Sequence, residues 1–112
     1  MKSIILTIAL LVSTFSFAQG LSSSSESLKS KSPKEFSKIE ALVQKHDKET
    51  DPIYNIMVNA QVKAREKVAK YIGTIKTKEG FSGIKKLMDM SQEVINGEEV
   101  FNWVLLATLL KV

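Results

Sequence analysis

His46, Asp47 and Glu49 are the residues whose types best suit metal binding or proton transfer. His46 is the sole histidine, and one imidazole beside two carboxylates falls short of the several N or S ligands that a dedicated zinc site combines. A cationic histidine also suits the C-terminal end of a helix, where the backbone dipole is negative. The chain has no cysteine, which removes thiol catalysis, disulfide exchange and cysteine-ligated metal sites together. Its serines sit in no Gly-x-Ser-x-Gly elbow, and no Gly-x-Gly-x-x-Gly or Walker A pattern occurs. No catalytic residue, metal ligand or cofactor is therefore assigned, and an enzyme is not expected.

Two other groups of residues could make contacts. Lys63, Lys67 and Lys70 recur at helical spacing and form a basic face, with Glu66 able to pair with Lys70. Nucleic acid is not the expected partner, because Arg65 is the only arginine and bidentate reading of phosphate or guanine needs more. A solvated helix face is the ordinary use of such a run. Near the end of the chain, Phe101, Trp103 and Leu106 are the residues expected to touch a partner, with Trp103, the only tryptophan, as anchor. Met57, Met88 and Met90 with Phe81 and Trp103 could line an adaptable apolar cavity, but at helical spacing core is the ordinary reading.

The compartment is the most specific message. Lys2 supplies a positive start, Ile4 to Val12 a short apolar run, and Ser16-Phe17-Ala18 small residues at the positions a signal peptidase reads. The Phe17-Ala18-Gln19 ending has the style of bacterial exports. Residues 1–18 read as a signal peptide cleaved after Ala18, giving a secreted or periplasmic protein. A retained anchor fits less well, since spanning takes about 20 apolar residues.

Removing residues 1–18 leaves 94, enough for one domain. Without disulfides, so small a domain depends on packing alone. The whole chain carries a formal charge of +4. Residues 52–86 hold eight basic side chains against Glu66 and Glu79, while residues 87–112 hold four acidic ones against Lys111. The two regions either lie against each other or leave a basic surface for an anionic partner.

The elements follow from spacing. Residues 19–32 are polar, with a run of four serines at 22–25, and read as a flexible Ser/Lys-rich segment. A helical bundle then occupies 33–112. Ser32-Pro33 with Glu35 marks a first start, followed by Phe36, Ile39, Leu42, Val43 and His46, near which the helix is expected to end. Asp51-Pro52 marks a second, and Ile53, Met57, Ala60, Ala64, Val68, Tyr71 and Ile75 form one stripe on a long helix to about Lys76. Gly80 reads as a stop and Ser82 as the next cap. Ile84, Leu87, Met88, Ser91, Val94 and Ile95 make a third stripe that ends at Asn96-Gly97.

Val100 to Val112 has ten apolar residues of 13 and no polar face, which requires cover on most sides. It is a central helix, or half of an interface, or, ranked last, a lipid contact. Lipid ranks last because the segment lacks the charged face of a membrane-surface helix. A fourth account is a chain cut within the run. The expected fold is all-α, a small up-down bundle of three to four helices. The expected function is a non-enzymatic exported protein acting through helix faces, on itself or on a protein partner. The alternative is a carrier or sensor of an apolar ligand such as a fatty acid, held between the helices.

Overall fold

The computed structural model describes residues 20–112. Residues 1–18, read above as a signal peptide, lie outside the described residues. In chain order the elements are α1 (Ser23–Lys31), α2 (Pro33–Gln44), α3 (Tyr54–Ile72), α4 (Lys78–Met90), β1 (Gln92–Ile95), β2 (Glu98–Phe101) and α5 (Trp103–Leu110). The fold is mostly helical, as periodicity predicts. It differs from a three-to-four-helix bundle in having five helices and an antiparallel hairpin among the described residues.

The serine run is helix, not a flexible segment. Ser22 caps α1 by accepting the Ser25 N–H at 3.1 Å. Ser25 is fully buried, and its hydroxyl donates to Asn59 Oδ1 of α3 at 2.7 Å. Asn59 also accepts the Ser22 N–H at 2.9 Å and donates to the Gly20 carbonyl at 3.1 Å. One amide thus fastens the whole entry of α1. Composition underrates such a segment because its ordering comes from distant contacts, the Asn59 amide and the packing of Leu21 and Leu28 on the α2–α3 cluster.

α2 starts at Pro33 and buries Phe36, Ile39, Leu42 and Val43, all of them expected. α3 starts at Tyr54, two residues later than Pro52. The Asp51 carboxylate closes the preceding turn on the Lys48 N–H at 3.0 Å, and the N-cap position falls to Ile53, with no side-chain cap.

The stripe on α3 is also different. Tyr54, Val58 and Val62 pack with Phe36, Ile39 and Val43 of α2, whereas Ala64 and Val68 pack with Leu106 and Ala107 of α5. Val62 and Ala64 point about 200° apart around a helix. α3 is therefore a spine with two working faces, and Ile53, at the head of the expected stripe, is exposed.

Gly80 does not end a helix. It is the third residue of α4 and donates its N–H to the Thr77 hydroxyl cap at 3.0 Å. The third stripe stops at Met90, because Gln92–Ile95 pairs with Glu98–Phe101 instead. Asn96 and Gly97 have φ of 52° and 83°. Positive φ at both central residues is the signature of the two-residue turn that joins twisted strands. Ile95 and Val100 pack on Leu42 of α2, and Val94 faces solvent. The apolar run is thus split: Val100 and Phe101 belong to β2, and the last helix begins at Trp103.

Candidate interaction site

The junction between β2 and α5 brings together the most recognition-capable side chains. Phe101 and Trp103 flank Asn102, and their ring centroids lie 4.9 Å apart with planes tilted by 42°. The Arg65 guanidinium lies 5.8 Å from the Trp103 centroid, within cation–π range. Arg65 Nε stands 4.0 Å from Glu35 Oε1, and Glu35 Oε2 stands 3.5 Å from Lys38 Nζ. These residues, with Gln92, Glu99 and Val100, line an open cleft of about 560 Å³ between α2, α3 and the hairpin.

Electrostatics in the cleft are mixed. Arg65 and Lys38 line it together with Glu35 and Glu99. Arg65 Nε is buried and makes no hydrogen bond. The side chains of Arg65 and Glu35 are each about one-third exposed, so water screens their pairing and the ion pair itself holds little.

A buried polar network fixes the position of Trp103. Asn102 caps α5 by accepting the Leu105 N–H at 3.1 Å. Gln61 of α3, itself buried, accepts the Trp103 N–H at 2.7 Å and donates to Asn102 Oδ1 at 3.0 Å. Asn102 Nδ2 donates to Glu93 Oε2 at 3.3 Å, and Lys45 Nζ donates to Glu93 Oε1 at 3.0 Å. The Lys45 bond, aided by Asn102, holds the Glu93 carboxyl below the ordinary glutamate range despite the opposing effect of burial. Burial raises the Tyr54 phenol above its ordinary value, and Glu40 and Glu49 add to this against a hydrogen bond from Gln44.

The expected site residues fare differently. Phe101 and Trp103 come together, half-buried, at the cleft. Leu106 does not join them. It is fully buried with Ala64, Val68 and Ala107. Lys63, Lys67 and Lys70 are all exposed on α3. Lys63 and Lys67 border a second groove of about 260 Å³ between α3 and α5, with Ala60, Ala64, Val104, Ala107, Thr108 and Val112. Phe81 and Met90, suggested for a cavity, are exposed on α4. His46 is exposed just beyond α2. Among the described residues no three His, Cys, Asp or Glu side chains group as metal ligands, and no helix is long and apolar enough to cross a membrane.

Sequence reasoning missed Arg65, Glu35, Gln61 and Asn102. Asn102 alone gave a local signal, an asparagine directly before a helical run. The others matter through partners far along the chain. Compared with known proteins, the chain matches no family model, no curated protein and no solved structure.

Proposed function

We propose that the protein is an exported, non-enzymatic interaction protein that receives a side chain or short segment of another protein molecule, a second copy or a different chain, in the Phe101–Trp103–Arg65 cleft. The observation that carries this reading is the composition of the cleft: tryptophan and arginine in contact range at an open surface. Those residue types dominate the binding energy of protein interfaces. The leader-like pattern of residues 1–18 supports export. A carrier of an apolar ligand has less support, because the groove with the more apolar floor holds about 260 Å³, below the roughly 300 Å³ at which ligand pockets begin.

Light scattering at tens of micromolar tests the second copy. A dimer that Trp103→Ala converts to a monomer, with helicity retained, supports it. A photo-crosslinking residue at position 103, used in the exporting host, tests a different chain, which would appear as one defined adduct. A strict monomer that also yields no adduct overturns the proposal.

A further inference from the structure

The sequence places lipid contact last because Val100 to Val112 has no charged face of its own. The fold supplies that face from another helix. Val104, Leu105 and Val112 are 37%, 39% and 41% exposed. Lys63 and Lys67 of α3 stand on the opposite rim of the same groove as Val104 and Val112. The groove exists because its floor is built of small residues, Ala60, Ala64 and Ala107. The end of α5 is folded back by Lys111, which takes a left-handed conformation (φ 61°) so that the Val112 N–H reaches the Ala107 carbonyl at 3.0 Å. This closure sets Val112 beside the lysines.

The side-chain charge on this face is of one sign. No side-chain carboxylate lines the groove, and Lys63 and Lys67 make no ion pair among the described residues. The nearest acidic residue along α3, Glu66, turns the other way and accepts from the Ser24 hydroxyl of α1 at 3.4 Å. Lys70 lies one turn beyond Lys67 and is also exposed.

We propose that this composite face, aliphatic residues of α5 flanked by lysines of α3, docks on an anionic lipid surface. The lysines would meet headgroup phosphates, and Val104, Leu105 and Val112 would rest at the boundary of the acyl region, the division of labour of an interfacial helix. Other occupants fit less well. Two copies joined by a two-fold axis running across the groove would set lysines against lysines. A free amphiphile would find a groove too shallow to cover it. The face is separate from the aromatic cleft, so this proposal stands or falls independently of that one.

The test uses residues 19–112, the chain that the expected cleavage after Ala18 leaves, because the apolar run of residues 4–12 has a lipid affinity of its own that would mask the result. Binding is read by co-sedimentation with vesicles of equal parts phosphatidylglycerol and phosphatidylcholine, and with phosphatidylcholine alone. Binding to the anionic vesicles only, weakened by salt, is expected. Lys63→Glu with Lys67→Glu should lower that affinity by at least about tenfold, and Val104→Ser with Leu105→Ser should lower it as well, with circular dichroism unchanged. Should the charge-reversed protein fail to fold, Lys63→Gln with Lys67→Gln replaces it, with an expected loss of about fivefold or more. No binding, equal binding to both vesicles, or indifference to the lysine substitutions overturns the proposal. Stoichiometric binding of monomeric laurate without vesicle binding also overturns it, by assigning the groove to a free amphiphile.

Discussion

The side-chain oxygen of Gln61 accepts the backbone N–H of Trp103 at 2.7 Å, and the same amide donates to Asn102 at 3.0 Å. A helix end is thereby capped from a different helix. The first N–H groups of any helix lack partners within it, and here α3 supplies one for α5. Trp103 is thus held by its backbone, while its ring packs against the α2–α3 and α3–α5 clusters and meets Phe101 and Arg65 at the cleft.

Replacing Gln61 with leucine should separate these roles. The volume is kept, but the Trp103 N–H loses its acceptor and Asn102 loses a donor. A buried donor left unsatisfied costs about 1–3 kcal/mol. Urea unfolding of Gln61→Leu should show a loss in that range, together with a changed Trp103 emission. An unchanged midpoint and spectrum would mean that water replaces the glutamine without cost.

Asn59 should act on a smaller unit. Asn59→Ala removes the acceptor of the Ser25 hydroxyl and the Ser22 N–H and the donor to Gly20. α1 has little apolar area to hold it otherwise, although Leu21 and Leu28 pack on the α2–α3 cluster. Hydrogen exchange across 23–31 should quicken by at least about tenfold while α2 and α3 keep their protection, the pattern of local opening. Uniform acceleration everywhere would show instead that α1 is part of the global folding unit.

Gly97 should tolerate no side chain without cost, although it has space for one. A Cβ there meets nothing within 4 Å, yet φ is 83°. Gly97→Ala therefore isolates backbone strain, and a loss of about 1–2 kcal/mol is expected. A neutral result would indicate that the turn relaxes to another type. Val94→Thr, on the solvent side of the hairpin, serves as a control and should change stability by less than about 0.5 kcal/mol.

How legible these features were depended on how local their causes are. Phe36, Ile39, Leu42 and Val43 face one neighbour, so their spacing alone revealed the buried side of α2. α3 touches α2 with one face and α5 with another, so a single stripe through both averaged them and placed Ile53 in the core and Tyr54 outside it. The hairpin was hidden by brevity. Four-residue strands barely show alternation, and Val94 and Ile95 happen to continue the α4 spacing. Asn96-Gly97 was seen as a stop, although flanking apolar residues make that pair a strong hairpin signal. At the site, Phe101 and Trp103 stand near the start of the apolar run 100–112 and lie together at the cleft. Leu106 turns inward, and nothing in a uniformly apolar helix marks which side does so. Arg65, 38 positions before Trp103, becomes its neighbour only through the packing of α3.

The acid side of the stability profile should depend on Glu93. Its carboxylate receives Lys45 and Asn102, which lowers its folded pKa below the ordinary range. The charged form is thus favoured by folding. The stabilisation is present in full above the unfolded pKa, about 4.3, and is lost as pH falls through the folded value. Glu93→Gln removes the titrating group while keeping an oxygen for Asn102. The variant should be less stable than the parent at pH 7, and the gap should close as pH falls through the carboxylate range and vanish below the folded pKa. Urea midpoints measured at steps of pH would show this convergence. Parallel curves would instead mean that Lys45 and Asn102 favour the neutral and charged carboxyl equally, and that Glu93 ties β1 to α2 by shape alone.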